Sequence, residues 1–141
     1  MTYQIMKEHI WVGAIPDRPD ALAEKLRTLS AAGLDLELIL ARRDMPGRAL
    51  LFISPLRTLE EILAAEDAGL AQEHSVRTIR ITGPNRPGLG ARITSALSQA
   101  GLNICAYSAA ALGNRHVTNV AFDSEEDADR AMDVLRPLLA S

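Results

Sequence analysis

The residues best placed for chemistry lie in the segment 83–90, where a predicted strand passes through a loop into a predicted helix. The first N–H groups of a helix have no partner within it, and the helix dipole places partial positive charge beside them. Gly88 lacks a Cβ, so a ligand can approach the backbone closely, and Asn85 has both an acceptor and an amide donor. The loop therefore suits a small carboxylate. Asn103, after the helix, has the same dual character and is predicted to face the same crevice.

A second copy of this segment lies 68 residues earlier in the chain, and the two match without a gap. The shared residues are Pro16/Pro84, Arg18/Arg86, Pro19/Pro87, Ala23/Ala91, Leu29/Leu97, Ser30/Ser98, Ala32/Ala100, Gly33/Gly101, Leu34/Leu102 and Ala41/Ala109. This agreement at one offset predicts an internal duplication. We place the two units at residues 1–75 and 76–141.

The first copy of the loop has a different charge. Asp17, Asp20 and Asp35 stand where the second copy has Asn85, Gly88 and Asn103. Three carboxylates would repel a carboxylate ligand and are expected to cap the first helix instead. The second copy is therefore the predicted ligand site, and the first copy is predicted to be mainly structural.

Each copy shows the order strand, helix, strand, strand, helix, which is typical of the ferredoxin-like fold. The predicted class is α+β, with two tandem ferredoxin-like (βαββαβ) units that have antiparallel sheets and helices on one face. A last strand is weak at 70–74 in the first copy and missing after the second. We expect Thr2–Lys7 to fill that place, either within the chain or from a partner, because an open sheet edge invites pairing. The first strand, 10–15, is apolar on both faces, which also favours self-association as a dimer.

Composition excludes several classes of function. The net charge is −3 and aromatic residues make up 4%, so no electrostatic footprint for nucleic acid is present. One cysteine allows neither an internal disulfide nor a thiolate cluster. The three histidines are scattered, and no phosphate-loop or nucleophile-elbow motif occurs. We therefore expect no enzyme activity, no metal and no cofactor. No apolar run is long enough for a bilayer or a signal peptide, so we expect a cytoplasmic protein without membrane contact.

The loop, helix and Gly101–Ile104 ending of the second copy resemble the ACT domain, a small ferredoxin-like module that binds amino acids and related effectors. The resemblance extends to Pro16–Leu36 in the first copy. It implies a ligand held where two modules meet, with contacts at Asn85, Arg86, Gly88, Leu89, Asn103 and Ile104. Members of this family commonly regulate enzymes of amino-acid metabolism or transcription, and they are usually attached to a catalytic or DNA-binding domain. This chain shows neither domain, so its client stays open.

Our leading hypothesis is a non-catalytic regulatory protein that binds an amino acid or a similar metabolite. The alternative is a protein–protein interaction module without a small ligand, and a small ferredoxin-like enzyme is a third reading. Simpler roles also stay open for single residues. Gly88 and Gly90 could serve only strand–helix packing, Asn85 could be a plain helix cap, and Arg86 could face solvent with its stem on apolar surface.

Overall fold

The computed structural model describes residues 2–140, which divide into two compact units. The first unit runs from His9 to Glu73. The second combines the N-terminal segment up to Glu8 with the chain from His74 onward. The N-terminal residues therefore belong with the second half of the sequence and not with the first, which differs from a contiguous division near residue 75.

Within residues 2–140, eight strands and four helices follow one another. They are β1 (Gln4–Glu8), β2 (Trp11–Pro16), α1 (Ala21–Ala31), β3 (Leu38–Met45), β4 (Arg48–Ser54), α2 (Leu59–Asp67), β5 (Ala71–Gln72), β6 (Arg77–Pro84), α3 (Leu89–Gln99), β7 (Ala106–Leu112), β8 (Arg115–Phe122) and α4 (Glu125–Ala140). Each unit forms one antiparallel four-stranded sheet, with strand order β3-β4-β2-β5 in the first and β1-β6-β8-β7 in the second. The predicted class of two tandem βαββαβ units is confirmed.

Strand β1 fills the place that the second copy lacks. It pairs antiparallel with β6 from Gln4 opposite Thr82 to Glu8 opposite Thr78, which is the position that β5 takes beside β2 in the first unit. Of the two arrangements left open for the N-terminal segment, pairing within the chain is the one observed. The pairing covers an edge of β6 that would otherwise be free to bind another strand.

The helices pack where their apolar residues recur at helical spacing. In α3, Leu89, Ile93 and Leu97 lie four residues apart and are fully buried, so they form one stripe along the helix. This stripe meets Ile79 and Ile81 of β6 and the inward side chains of β8 and α4 in one core. A separate core in the first unit is built around Trp11, Leu51 and Ile53.

The strand that follows the first helix of each sequence copy begins later than its alternating sequence predicts. The pattern starts at Leu34 and Leu102, whereas the strands β3 and β7 begin at Leu38 and Ala106. Leu102 is buried against the core and Leu34 packs against the first core. These leucines pack against the cores after the helices end and do not join the sheets, so each strand begins four residues after its alternating pattern does.

Candidate functional site

Gly88 is the N-cap residue of helix α3, and its backbone has a conformation that favours glycine. Its φ is +80°, in the left-handed region, and no atom lies within 4 Å of an ideal Cβ placed on it. Residues with a Cβ rarely adopt this conformation. The backbone at the start of α3 is consequently open on the side that Gly88 faces.

Helix α3 also lacks the groups that usually occupy a helix start. Thr58 and Ser124 cap α2 and α4 by accepting from the N–H groups of Glu61 and Asp127. No side chain caps α3, and its first turn contains no acidic residue. The nearest charge in sequence is the exposed guanidinium of Arg86. The helix dipole is therefore uncompensated here and favours an anion.

Asn85 is held in place from two directions. Its backbone N–H donates to the Asn114 carbonyl at 2.7 Å, which ties the loop to the turn between β7 and β8. Its side-chain Oδ1 lies 3.3 Å from Nδ1 of His116, and the other ring nitrogen of that histidine contacts the Thr118 hydroxyl. His116 and Thr118 are buried whereas Asn85 is exposed, so a buried pair supports an exposed amide.

The side chain of Tyr107 in β7 lies beside the first turn of α3. An ideal Cβ on Gly90 would lie 3.2 Å from the Tyr107 hydroxyl oxygen, so the hydroxyl lies directly against the first turn. Tyr107 keeps 38% of its surface exposed. Sequence reasoning did not include Tyr107 or His116 in the site. Their places opposite Val120 and Gly83 follow from the strand register, which a single sequence does not reveal.

The remaining predicted contacts do not gather at this loop. Leu89 is 2% exposed and its side chain belongs to the core, while Ile104 packs against that core. Asn103 is exposed but follows the C-terminal end of α3. A helix of 11 residues is about 16 Å long, so within one unit Asn103 and Asn85 do not share a crevice. A role for Asn103 in a ligand site would need a second module.

In the first copy, the loop charges neutralise one another. Arg18 Nε lies 2.9 Å from Asp20 Oδ1, and this contact lowers the pKa of Asp20 below its usual value. Asp17 pairs with Arg43 of β3. Asp20 occupies the N-cap position of α1 with φ −96°, but its carboxylate makes no cap hydrogen bond. The expectation that these carboxylates cap α1 is therefore wrong for Asp20, because its carboxylate binds Arg18 instead.

Elsewhere in the second unit, the thiol of Cys105 has a raised pKa. Cys105 is exposed, and its Sγ donates to Asp123 Oδ1 at 2.8 Å. This hydrogen bond, with burial and the Asp123 charge, raises the pKa of Cys105 to about 11.

Among residues 2–140, no three His, Cys, Asp or Glu side chains are grouped to hold a metal ion. Over the same range, every helix is too short or too polar to cross a bilayer.

Comparison with known proteins gives a family match for the second unit and a shared fold for both units. Residues 78–140 match the model of the ACT domain. A solved protein of Bacteroides thetaiotaomicron aligns with a TM-score of 0.78 at 18% identity, covering 94% of this chain and 89% of its own. The ligand-free regulatory subunit of aspartate kinase from Thermus thermophilus aligns with a TM-score of 0.66 at 20% identity, covering 95% and 94%. The corresponding subunit from Thermus flavus aligns at 0.60 and 18%, covering 96% and 97%.

No curated protein matches the chain in sequence. At these identities the solved structures establish the fold, and the family match covers the second unit alone. Residues 78–140 match the ACT-domain family, and the chain as a whole shares its two-unit ferredoxin-like fold with regulatory subunits of aspartate kinase.

Proposed function

We propose that the chain is a non-catalytic regulatory protein that binds an amino acid, or a similar small acid, at the loop before α3. One observation carries the proposal. Gly88 leaves the start of α3 bare at φ +80°, whereas Asp20 places a carboxylate at the equivalent position of the first copy. The uncapped N-terminus of α3 supports binding of an anion, whereas the Asp20 carboxylate at the N-terminus of α1 opposes it.

Each part of the loop has a proposed role. The free N–H groups at Gly90 and Ala91 would bind the carboxylate, and Arg86 would add positive charge. The Asn85 amide and the Tyr107 hydroxyl would fix the ligand's orientation beside the helix. A free amino acid has few heavy atoms, so we expect dissociation constants from about micromolar to millimolar. Such values suit a protein that follows a metabolite pool.

Signalling would follow from different affinities of the ligand for two arrangements of the protein. A ligand that binds both arrangements equally shifts nothing. The comparisons include regulatory subunits of aspartate kinase, so a client enzyme of amino-acid metabolism is a consistent partner. Self-association as a dimer is part of the same proposal, because the edge strand β7 is exposed at every residue and carries neither charge nor proline.

Strand β7 also favours the second candidate, a protein–protein interaction module without a small ligand. Its open backbone edge could add a strand from another protein. The two candidates differ in their response to small molecules. The interaction module predicts no change in stability with any amino acid, whereas the regulatory protein predicts stabilisation by at least one.

The test is a thermal-shift and calorimetric survey of the twenty L-amino acids, each at millimolar concentration. We expect reproducible stabilisation of the wild-type protein by one or a few of them. Gly88→Asp should abolish the response, because it places the first copy's carboxylate at the bare helix start. Gly88→Asn is the matched control, since it has the same size and backbone strain without the charge, and it should retain part of the response. A wild-type protein that responds to none of the twenty would contradict the proposal.

A further inference from the structure

The buried pair His116 and Thr118 lies behind the ligand loop and has no role in the proposed contacts. His116 is 8% exposed and Thr118 is fully buried. The two side chains contact each other through Nε2 of the ring and the Thr118 hydroxyl, and Nδ1 of the ring faces Asn85 Oδ1 at 3.3 Å. A hydrogen-bond network of three side chains, Thr118, His116 and Asn85, therefore runs from the interior of the second unit to its surface.

The donors in this three-residue network can be assigned by counting its hydrogens and its acceptors. A neutral imidazole has one nitrogen that donates and one that accepts. If Nδ1 carries the proton, it donates to Asn85 Oδ1, and Nε2 accepts from the Thr118 hydroxyl. Every buried polar hydrogen then has an acceptor.

The opposite tautomer leaves a buried hydrogen without an acceptor. Nε2–H would donate to the Thr118 oxygen, and the hydroxyl hydrogen would need another partner. Within residues 2–140, His116 is the one side chain recorded in a hydrogen bond with Thr118 Oγ1. A buried donor without a partner is costly, so the first arrangement is favoured. Asn85 would also have to turn its oxygen toward solvent in the second arrangement.

From this geometry we infer that His116 is a positioning residue that sets the polarity of the ligand loop. Its Nδ1–H holds the Asn85 oxygen inward, so the Asn85 amide N–H groups face outward. An outward donor recognises a carboxylate, whereas an outward oxygen would recognise an ammonium group. The inference rests on the proposed carboxylate site for its functional meaning, but the tautomer itself can be measured without any ligand.

The first test is a long-range ¹H–¹⁵N NMR spectrum of the ligand-free protein at mildly alkaline pH, where a histidine ring is ordinarily neutral. We expect His116 to show the Nδ1-protonated pattern. The Nε2-protonated pattern would overturn the inference. Because this experiment needs no amino acid, it decides the inference even if the thermal-shift survey shows that the proposed function is wrong.

The second test compares two variants of a residue that does not face the ligand loop. Thr118→Ser keeps the hydroxyl and Thr118→Val removes it with little change in shape. We expect Thr118→Ser to keep the Nδ1-protonated pattern and bind amino acids as the wild type does. Thr118→Val removes the hydroxyl that donates to Nε2 but keeps the bond from Nδ1–H to Asn85, and an Nε2–H beside valine would be a buried donor without an acceptor. The Nδ1-protonated pattern should therefore persist in both variants. A switch of Thr118→Val to the Nε2-protonated pattern would show that Asn85 does not hold the Nδ1 proton, and it would overturn the inference.

Direct variants of His116 separate positioning from packing. His116→Asn places an amide donor near the position of Nδ1 and should restore much of the affinity that His116→Leu loses. In the Asn85→Ala background, His116→Leu should change affinity no further, because its effect passes through Asn85. Circular dichroism establishes that each variant is folded. Equal losses in both backgrounds would show a general packing role and overturn the inference.

Discussion

The ring of Tyr3 lies directly against Gly83, and an ideal Cβ on that glycine would overlap Tyr3 Cδ1. The Tyr3 hydroxyl also donates to the Pro84 carbonyl at 2.6 Å. The N-terminal segment therefore packs on the last residues of β6, immediately before the ligand loop. The second unit therefore includes a strand, β1, that lies far in sequence from its other elements.

This contact predicts a specific coupling between two substitutions. Gly83→Ala should lower the free energy of unfolding by about 1–3 kcal/mol, since the added methyl group overlaps the Tyr3 ring. In a Tyr3→Ala background the same change should cost much less, because the ring is gone. Urea denaturation of the four proteins in the cycle measures the difference. An equal cost of Gly83→Ala in both backgrounds would show that the ring does not restrict this position.

The duplicated leucines Leu29 and Leu97 predict matched losses of stability. Both are buried, at 1% and 0% exposure, and both lie on the inner face of the first helix of their unit. Replacing either with alanine should cost about 2–5 kcal/mol. Amide hydrogen exchange should place the effect of Leu29→Ala in residues 9–73 and that of Leu97→Ala in residues 2–8 and 74–140.

Leu112 provides the control for this pair because its side chain is 86% exposed. Leu112→Ala should change stability by less than about 0.5 kcal/mol. A loss at Leu112 as large as the loss at Leu97 would contradict the assignment of the core.

Cys105 predicts an unreactive thiol at neutral pH. Its hydrogen bond to Asp123 raises the pKa of Cys105 to about 11, which leaves about a hundredfold less thiolate than a thiol of pKa near 9. Alkylation by iodoacetamide should be slow in the folded protein and rapid in urea. The stabilisation from this raised pKa is present below the unfolded pKa and lost as the pH rises through about 11. Asp123→Asn should lower the pKa and speed the reaction; an unchanged rate would exclude the Asp123 contact as its cause.

The sequence predicts the duplication and most elements because these depend on local patterns. The spacing of Leu89, Ile93 and Leu97 indicates α3, the apolar run at 49–53 indicates β4, and the alternation around Ile79 and Ile81 indicates β6. Contacts set by strand register are not readable in this way. His116 and Tyr107 reach the ligand loop only because β8 and β7 have particular registers. Asn103 was grouped with Asn85 because both have amide side chains beside α3, but Asn103 lies at the opposite end of that helix. The difference between the two loops in charge was visible at Asp20 and Gly88, whereas the pairing of Asp20 with Arg18 was not.

The most direct measurement of the central claim is a ¹H–¹⁵N NMR titration of the ligand-free protein with the amino acid that gives the largest thermal shift. The account predicts chemical-shift changes centred on the backbone amides of residues 85–91 and on the Asn85 side-chain amide. The equivalent residues 17–23 of the first copy should change little. Changes centred on residues 17–23, with residues 85–91 unaffected, would contradict the claim that the bare helix start at Gly88 is the ligand site.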